Sequence, residues 1–152
     1  ATDGTLLAWN PNAGGVVNAV AVSGSTVFVG GAFTTLNASS CQRLAVVGTD
    51  GSVIGCSFSV DAVVNKIAAT GDTAYVAGDF TSITAIERRS LASISATATL
   101  GVWSPKVAGA SPGVKAIAVA GSTVYVAGGF NSIDGNFHQG LASINTDGSV
   151  NW

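Results

Sequence analysis

The sequence has no methionine, a single histidine and only three prolines, and charged residues make up 9% of its 152 positions. His138 is the one candidate base for a Ser-His-Asp triad. No nucleophile-elbow pattern surrounds any serine. Copper or zinc centres built from His and Cys need more ligands than one His and two Cys supply. We therefore predict no catalytic residue, no metal site and no cofactor.

Positive charge is also scarce. The six Lys and Arg residues are scattered, with Arg88 and Arg89 as the one adjacent pair, whereas a nucleic-acid surface needs clustered cations. No apolar run approaches the roughly 18 residues that a membrane helix needs. We expect no nucleic-acid partner and no membrane insertion. Low charge with abundant Val, Ala, Ser, Thr and Gly is typical of an all-β protein whose sheets are covered on both faces.

What the chain does contain is an internal repeat. Its three copies occupy residues 17–36, 64–83 and 114–133 and start 47 and then 50 residues apart. A fixed period of roughly 20 to 50 residues is typical of a repeat architecture. Within each copy, two alternating apolar runs flank a tight turn, which predicts a β-hairpin. The turn glycines, which are expected to supply a positive φ, are Gly24, Gly71 and Gly121.

A step of small residues and then a phenylalanine follow this hairpin in every copy. The small residues are Gly30-Gly31, Ala77-Gly78 and Ala127-Gly128-Gly129. Glycine within a strand usually marks a bulge or a close backbone approach. The phenylalanines that follow are predicted to be wedges between neighbouring repeats, and they are Phe33, Phe80 and Phe130.

Each copy then continues into a second hairpin. Asp50-Gly51 and Asp147-Gly148 lie between alternating runs, which is the strongest short-range hairpin signal. The middle copy, between Leu91 and Trp103, keeps the pattern without Asp-Gly. Each unit is therefore predicted to be four antiparallel strands in about 47–50 residues, which is the size of a β-propeller blade.

This pattern predicts three blades and one additional strand. The blades are placed at residues 10–58, 59–104 and 105–152, after an outer strand at residues 1–9 that belongs to a preceding or neighbouring blade. Propellers usually close with roughly 4 to 8 blades, so we expect either a homo-oligomer or further blades in a longer chain. The tryptophans either pack at blade or subunit interfaces or stack on sugars. The candidate interface residues are Leu6, Leu7, Trp9, Trp103 and Trp152.

The two cysteines, Cys41 and Cys56, lie at predicted strand ends. They are either buried free thiols or a disulfide. The polar, Ser/Thr-rich loops resemble those of secreted proteins, in which disulfides persist, and this favours the disulfide. Their spacing is not a metal pattern, because neither a second pair nor a histidine accompanies it. We expect an extracellular or cell-surface location.

The segment at 124–133, Val-Tyr-Val-Ala-Gly-Gly-Phe-Asn-Ser-Ile, followed by Leu-Ala-Ser-Ile-Asn-Thr-Asp-Gly at 141–148, resembles the Delta-60-type repeat. That repeat belongs to a β-propeller family found in large secreted prokaryotic proteins. Leu-Leu-Ala-Trp-Asn-Pro-Asn at 6–12 is similar to the family's linker between blades, and the resemblance covers nearly all of the chain. It implies a galactose-oxidase-like or kelch-like propeller and implies no catalytic residues, because the repeat is a packing pattern.

The loop between the second and third strands is the most variable part of each copy, and binding residues often lie on variable loops of a rigid scaffold. The candidate binding residues are Arg43, Arg88, Arg89, His138 and Gln139. We align Arg43 with Arg89 and Gln139, and expect these side chains either to hydrogen-bond loop carbonyls or to contact a ligand. One isolated carboxylate, Asp79, falls short of the six to eight oxygens that Ca²⁺ prefers.

Three functions compete on this evidence. The leading one is a non-enzymatic extracellular scaffold, assembly or adhesion module. The alternative is a lectin-like propeller that binds a carbohydrate or a protein through the loops. A third is part of a galactose-oxidase-like enzyme, whose copper needs Tyr, His and Cys ligands, whereas Tyr75 and Tyr125 hold repeat positions predicted to lie in the strand core.

Overall fold

A computed structural model describes residues 3–5, 8–109 and 113–151 of the chain. Every regular element in these ranges is a β-strand, which confirms the predicted all-β class. The same ranges contain no helix that could cross a bilayer. The strands are β1 Val17–Ser23, β2 Thr26–Gly31, β3 Thr35–Leu36, β4 Ser39–Ser40, β5 Leu44–Gly48, β6 Val53–Gly55, β7 Val64–Thr70, β8 Thr73–Gly78, β9 Ser82–Ile83, β10 Ile86–Glu87, β11 Leu91–Ser95, β12 Val107–Ala108, β13 Val114–Ala120, β14 Thr123–Gly128, β15 Ser132–Ile133, β16 Asn136–Phe137, β17 Leu141–Asn145 and β18 Val150–Asn151.

Each repeat forms one antiparallel sheet whose long strands follow chain order. The order is β1-β2-β5-β6 in the first repeat, β7-β8-β11 in the second and β13-β14-β17-β18 in the third. The fourth strand predicted for the second repeat is reduced to a single bridge between Ile94 and Leu100. The chain leaves the sheet after this bridge. Val102 is 98% exposed, and the indole N–H of Trp103 donates to the carbonyl of Asn145 in the third repeat, at 2.9 Å.

The first hairpin of each repeat has the two-residue turn that the sequence predicts. The strands on either side pair as Ser23 with Thr26 in the first repeat, and the other two repeats have the same register. The turn glycines all have positive φ, at 58° for Gly24, 52° for Gly71 and 57° for Gly121. Glycine adopts this region without the steric cost that a side chain adds, so the local sequence determines these turns.

A β-bulge interrupts the same hairpin at the same place in all three repeats. The register shifts between Val17 and Ala19, between Val64 and Lys66, and between Val114 and Ala116. Glycine lies opposite each bulge, and a Cβ there would collide with the backbone carbonyl oxygen of the residue just before the first strand. The colliding pairs are Gly31 with Val16, Gly78 with Val63, and Gly128 with Gly113. The predicted close backbone approach is confirmed.

Replacing Gly128 with Ala is expected to lower the free energy of unfolding by about 1–3 kcal/mol, the usual range for overpacking. The added methyl group meets the carbonyl oxygen of Gly113, and a backbone atom cannot move aside like a flexible side chain. Gly129→Ala is the matched control, because Gly129 is exposed and its counterparts in the other repeats are Ala32 and Asp79. Urea unfolding of both variants measures the difference, and equal losses would contradict the collision.

The core lies mainly between the sheets of successive repeats. Strand β7 contacts β1 and β2, and β13 contacts β7 and β8. The first cluster joins Phe28, Leu44 and Val46 of the first repeat to Val64, Val76, Phe80 and Ile83 of the second. The second cluster joins Tyr75 and Leu91 of the second repeat to Val114, Val126, Phe130 and Ile133 of the third. Phe80 and Phe130 therefore lie at junctions between repeats, whereas Phe33 packs in a cluster within the first repeat.

Tyr125 does not hold the core position that its place in the repeat predicts. Its side chain is 47% exposed, whereas the equivalent Tyr75 is 4% exposed. The reason is that Tyr75 faces the third repeat, while no repeat follows the third in the described chain to cover Tyr125.

Two tryptophans occupy equivalent places at the outer ends of the sheets. The indole N–H of Trp9 donates to the carbonyl of Gly48 in the first repeat at 3.1 Å, as that of Trp103 does to Asn145 in the third. Trp9, which precedes the first repeat, thus caps that repeat, and Trp103, at the end of the second repeat, caps the third in the same way. The other candidate interface residues, Leu6, Leu7 and Trp152, lie outside the described residues.

Candidate functional site: a charged cleft between the second and third repeats

The connection between the second and third long strands is a small hairpin in each repeat. These hairpins are β3–β4, β9–β10 and β15–β16. Both central residues of each turn have positive φ, and the pairs are Asn37-Ala38, Thr84-Ala85 and Asp134-Gly135. The sequence predicts loops for these segments, because two of the three turns lack the glycine that normally marks such a conformation. Asp134-Gly135 carried the one signal that pointed to them.

Backbone hydrogen bonds correct the alignment of the loop residues. The amide of the residue before the third long strand donates to the carbonyl of the repeat phenylalanine, at 3.0 Å each time. The pairs are Arg43 with Phe33, Ser90 with Phe80, and Gly140 with Phe130. Arg43 therefore matches Ser90 and Gly140, and its alignment with Arg89 and Gln139 is wrong by one residue. Their true counterpart is Gln42.

The predicted binding residues divide into two groups. Arg43 donates to the carbonyl of Val60 at 2.6 Å, and Arg88 donates to the carbonyls of Glu87 and Gly101 at 2.9 Å. These two arginines satisfy backbone groups, which is one of the two roles expected for Arg43. Arg89 instead pairs with the Glu87 carboxylate, and in the third repeat His138 is half-buried while Gln139 is exposed.

A cleft of roughly 830 Å³ opens between the small hairpin of the second repeat and the segment that enters the third. Thr81, Glu87 and Arg89 contribute to one wall, and β12 and Lys115 contribute to the other. A second depression of roughly 510 Å³ shares Glu87, Arg89 and β12 and adds Lys106 and Asp134. We call the two together the junction cleft.

Charge is concentrated in the junction cleft. It holds three of the six cationic residues and three of the eight acidic residues of the chain. They are Asp79, Glu87, Arg89, Lys106, Lys115 and Asp134. Several have uncharged counterparts: Arg89 matches Gln42 and Gln139, and Lys115 matches Asn18 and Asn65. The repeat fold therefore does not require these charges.

Two ion pairs organise the cleft. Lys115 Nζ lies 3.2 Å from Asp79 Oδ1 across the junction, and Arg89 Nε lies 2.6 Å from Glu87 Oε1 within the second repeat. The hydrogen bond from Arg89, its charge and that of Lys106 lower the pKa of Glu87, so this carboxylate is ionised at neutral pH. The four paired side chains are 48–62% exposed. Exposed pairs of this kind contribute little to stability, and their charged atoms are accessible to a ligand.

The two junctions between repeats differ in how they are bridged. At the first junction, Gln42 pairs with Ser59, and Arg43 reaches the carbonyl of Val60. At the second junction, the buried Ser90 stands where the first has Arg43. The segment from Val107 to Val114 is also three residues longer than the equivalent segment from Val60 to Val64. The cleft lies at the junction that has the smaller side chain at this position and the longer entry segment.

Within residues 3–5, 8–109 and 113–151, no three His, Cys, Asp or Glu side chains come together as a metal cluster. Asp79, considered above as a Ca²⁺ ligand, has Lys115 as its partner. Comparison with models of known protein families gives no match, and comparison with curated proteins gives none either.

Proposed function

We propose that this chain is a non-enzymatic extracellular repeat module that acts as a scaffold for assembly or adhesion. Its repeats are blades of a β-propeller of the Delta-60 type, completed by other copies or by further repeats. The observation that carries this proposal is the pair of apolar junctions, in which each sheet packs on the next along the chain. A structure built by repeating one junction has no intrinsic end, and its outermost faces invite a further partner.

The extracellular part of the proposal is supported by the cysteines. Cys41 and Cys56 are joined in a disulfide, with their Cα atoms 4.9 Å apart, and the described residues include no free cysteine. Disulfides persist in oxidising environments and are rare in reducing ones. The propeller part is supported by the four-stranded sheets of the first and third repeats. Two chains would supply six repeats, and propellers usually have about 4 to 8 blades.

Light scattering on a sizing column tests the assembly role. We expect the purified chain to elute as a discrete oligomer, with a dimer as the smallest species that would close a six-unit ring. A chain that stays monomeric at every concentration tested would contradict self-assembly. Mixed sizes that grow with concentration would favour an open fibre over a ring.

The junction cleft supports a second function, the binding of a polar ligand such as a glycan or a charged protein segment. The observation that favours it is the concentration of charge where the repeat fold needs none. Arg89→Gln and Lys115→Asn install the residues that other repeats carry. We expect both variants to lose binding on a glycan array while the free energy of unfolding changes by less than about 1 kcal/mol. Binding that survives both changes would exclude the cleft as its site.

A further inference from the structure

The small hairpin of the first repeat carries a pattern that its two counterparts lack. Its turn and the start of β4 read Asn37-Ala38-Ser39, whereas the equivalent residues are Thr84-Ala85-Ile86 and Asp134-Gly135-Asn136. Asparagine, then any residue except proline, then serine or threonine is the acceptor pattern for N-glycosylation. The 152 residues contain this pattern once. It is therefore a feature of one hairpin and not a requirement of the repeat.

Every residue of this acceptor pattern lies on the surface. Asn37, Ala38 and Ser39 are all exposed. Asn37 and Ala38 form the two-residue turn, with φ at 47° and 62°, and β3 pairs with β4 on either side of them. A glycan is bulky and strongly hydrated, so its acceptor must lie on a surface segment of a secreted protein. A glycan on Asn37 would extend into solvent from the tip of a turn.

The equivalent side chains in the other repeats have a structural role. In both, the first turn residue accepts a hydrogen bond from an amide of the segment that enters the repeat. The pairs are Thr84 with Ser59 at 3.4 Å, and Asp134 with Lys106 at 2.8 Å. Asn37 instead donates from its Nδ2 to the carbonyl of Gly51 at 3.5 Å, which is long for such a bond. A glycosylated asparagine keeps one hydrogen on Nδ2, so this contact can persist after modification.

The disulfide lies beside the acceptor pattern. Cys41 follows Ser39 by two residues and is joined to Cys56. Disulfides persist in oxidising compartments, and N-glycans are attached to exported chains. One repeat thus combines a bond and an acceptor pattern that both belong to the exported state.

We propose that Asn37 is an N-glycosylation site whose second substrate is an oligosaccharide carried on a lipid pyrophosphate. The inference rests on the extracellular location proposed above. Nδ2 of Asn37 attacks the anomeric carbon of the first sugar and forms an N–C bond. The bond from that carbon to the pyrophosphate oxygen breaks, and the lipid pyrophosphate leaves with the electron pair. Nδ2 gives up one proton to a base of the oligosaccharyltransferase, and nothing is oxidised or reduced.

Mass spectrometry of the chain purified from its natural source tests whether the site is used. We expect an intact mass above that of the sequence, and peptide N-glycosidase should remove the excess. Because that enzyme leaves aspartate where the glycan was attached, peptide mapping should find aspartate at position 37 after the treatment and nowhere else among the asparagines.

Variants secreted from a host that has an oligosaccharyltransferase test the pattern itself. Ser39→Ala keeps Asn37 but removes the hydroxyl that the transferase recognises, so we expect the glycan to be lost, whereas Ser39→Thr should retain it. Ser40→Ala is the matched control, because Ser40 is an exposed neighbour outside the pattern, and it should also retain the glycan. Asn37→Asp, which suits a turn at positive φ, is the second variant if Ser39→Ala loses its circular dichroism spectrum.

The outcomes separate the modification from the location on which it rests. A natural chain that is exported and disulfide-bonded but carries no glycan on Asn37 overturns the modification and leaves the location intact. A glycan that survives Ser39→Ala also overturns it, because attachment would then not depend on the pattern. A natural chain that stays in the cell with free thiols overturns both. A glycan on Asn37 that is lost in Ser39→Ala and kept in Ser40→Ala establishes the site.

Discussion

Replacing Phe80 with alanine is expected to lower the free energy of unfolding by about 3–5 kcal/mol, the range for buried aromatic residues. Phe80 is 0% exposed and belongs to the cluster that joins the first repeat to the second. Its loss leaves a cavity in a cluster that includes Phe28 of the first repeat and Ile83 of the second, and rigid strands cannot close that cavity. Denaturant unfolding followed by circular dichroism measures the change.

Phe137→Ala is the matched control. This phenylalanine ends the small hairpin of the third repeat and is 74% exposed, so we expect its removal to change stability by less than about 0.5 kcal/mol. A loss of under about 1 kcal/mol for Phe80→Ala would contradict its role as a wedge at the junction. A large loss for both variants would point to a general effect of removing aromatic side chains.

The features that sequence predicts well here are those set by neighbouring residues. The alternation of apolar residues gives the long hairpins, and Gly24 and its counterparts give the two-residue turns. The Asp-Gly turns are equally local, because Ser52 donates its hydroxyl and amide hydrogens to Asp50 Oδ1 at 2.6 and 2.9 Å. These bonds stabilise the charged carboxylate and lower the pKa of Asp50. The period of about 50 residues then indicates that these local units form a repeat architecture.

The candidate site depends on contacts that no local pattern contains. Lys115 and Asp79 are 36 residues apart and meet only because the third repeat packs on the second. The small hairpins have non-glycine residues such as Thr84 at positive φ, which propensity disfavours and which tertiary packing must enforce. The alignment of Arg43 with Arg89, which relied on residue type, is also wrong. What all three repeats share is a hydrogen bond from a backbone amide to the carbonyl of the repeat phenylalanine, and Arg43 and Ser90 supply that amide in the first two repeats.

The exposure of Tyr125 shows a third limit, since equivalent residues need not have equivalent environments. The repeat pattern predicts which face of a strand is apolar, and Phe28, Tyr75 and Tyr125 all obey it. Whether that face is buried depends on a neighbour, which is a property of position in the array and not of the local sequence. The mismatch therefore follows from the position of the third repeat in the array and not from its sequence.

Removing the disulfide is expected to destabilise the first repeat by about 3 kcal/mol, because the bond closes a loop of about 15 residues in the unfolded chain. Cys41 follows β4 and Cys56 follows β6, so the bond ties the small hairpin to the outer strand. The double variant Cys41→Ala, Cys56→Ala should show a lower denaturant midpoint than the unaltered chain. Reductant should produce the same shift in the unaltered chain and no shift in the double variant.

Amide hydrogen exchange would show how far that loss extends. The counterparts of Cys41 are Arg88 and His138, so the second and third repeats hold the same hairpin without a covalent bond. If the repeats are coupled only through their junctions, protection should fall most in β5 and β6 and least in β17. A uniform fall across all three sheets would mean that the chain unfolds as one cooperative unit. A midpoint unaffected by reductant would mean that the bond contributes nothing to stability.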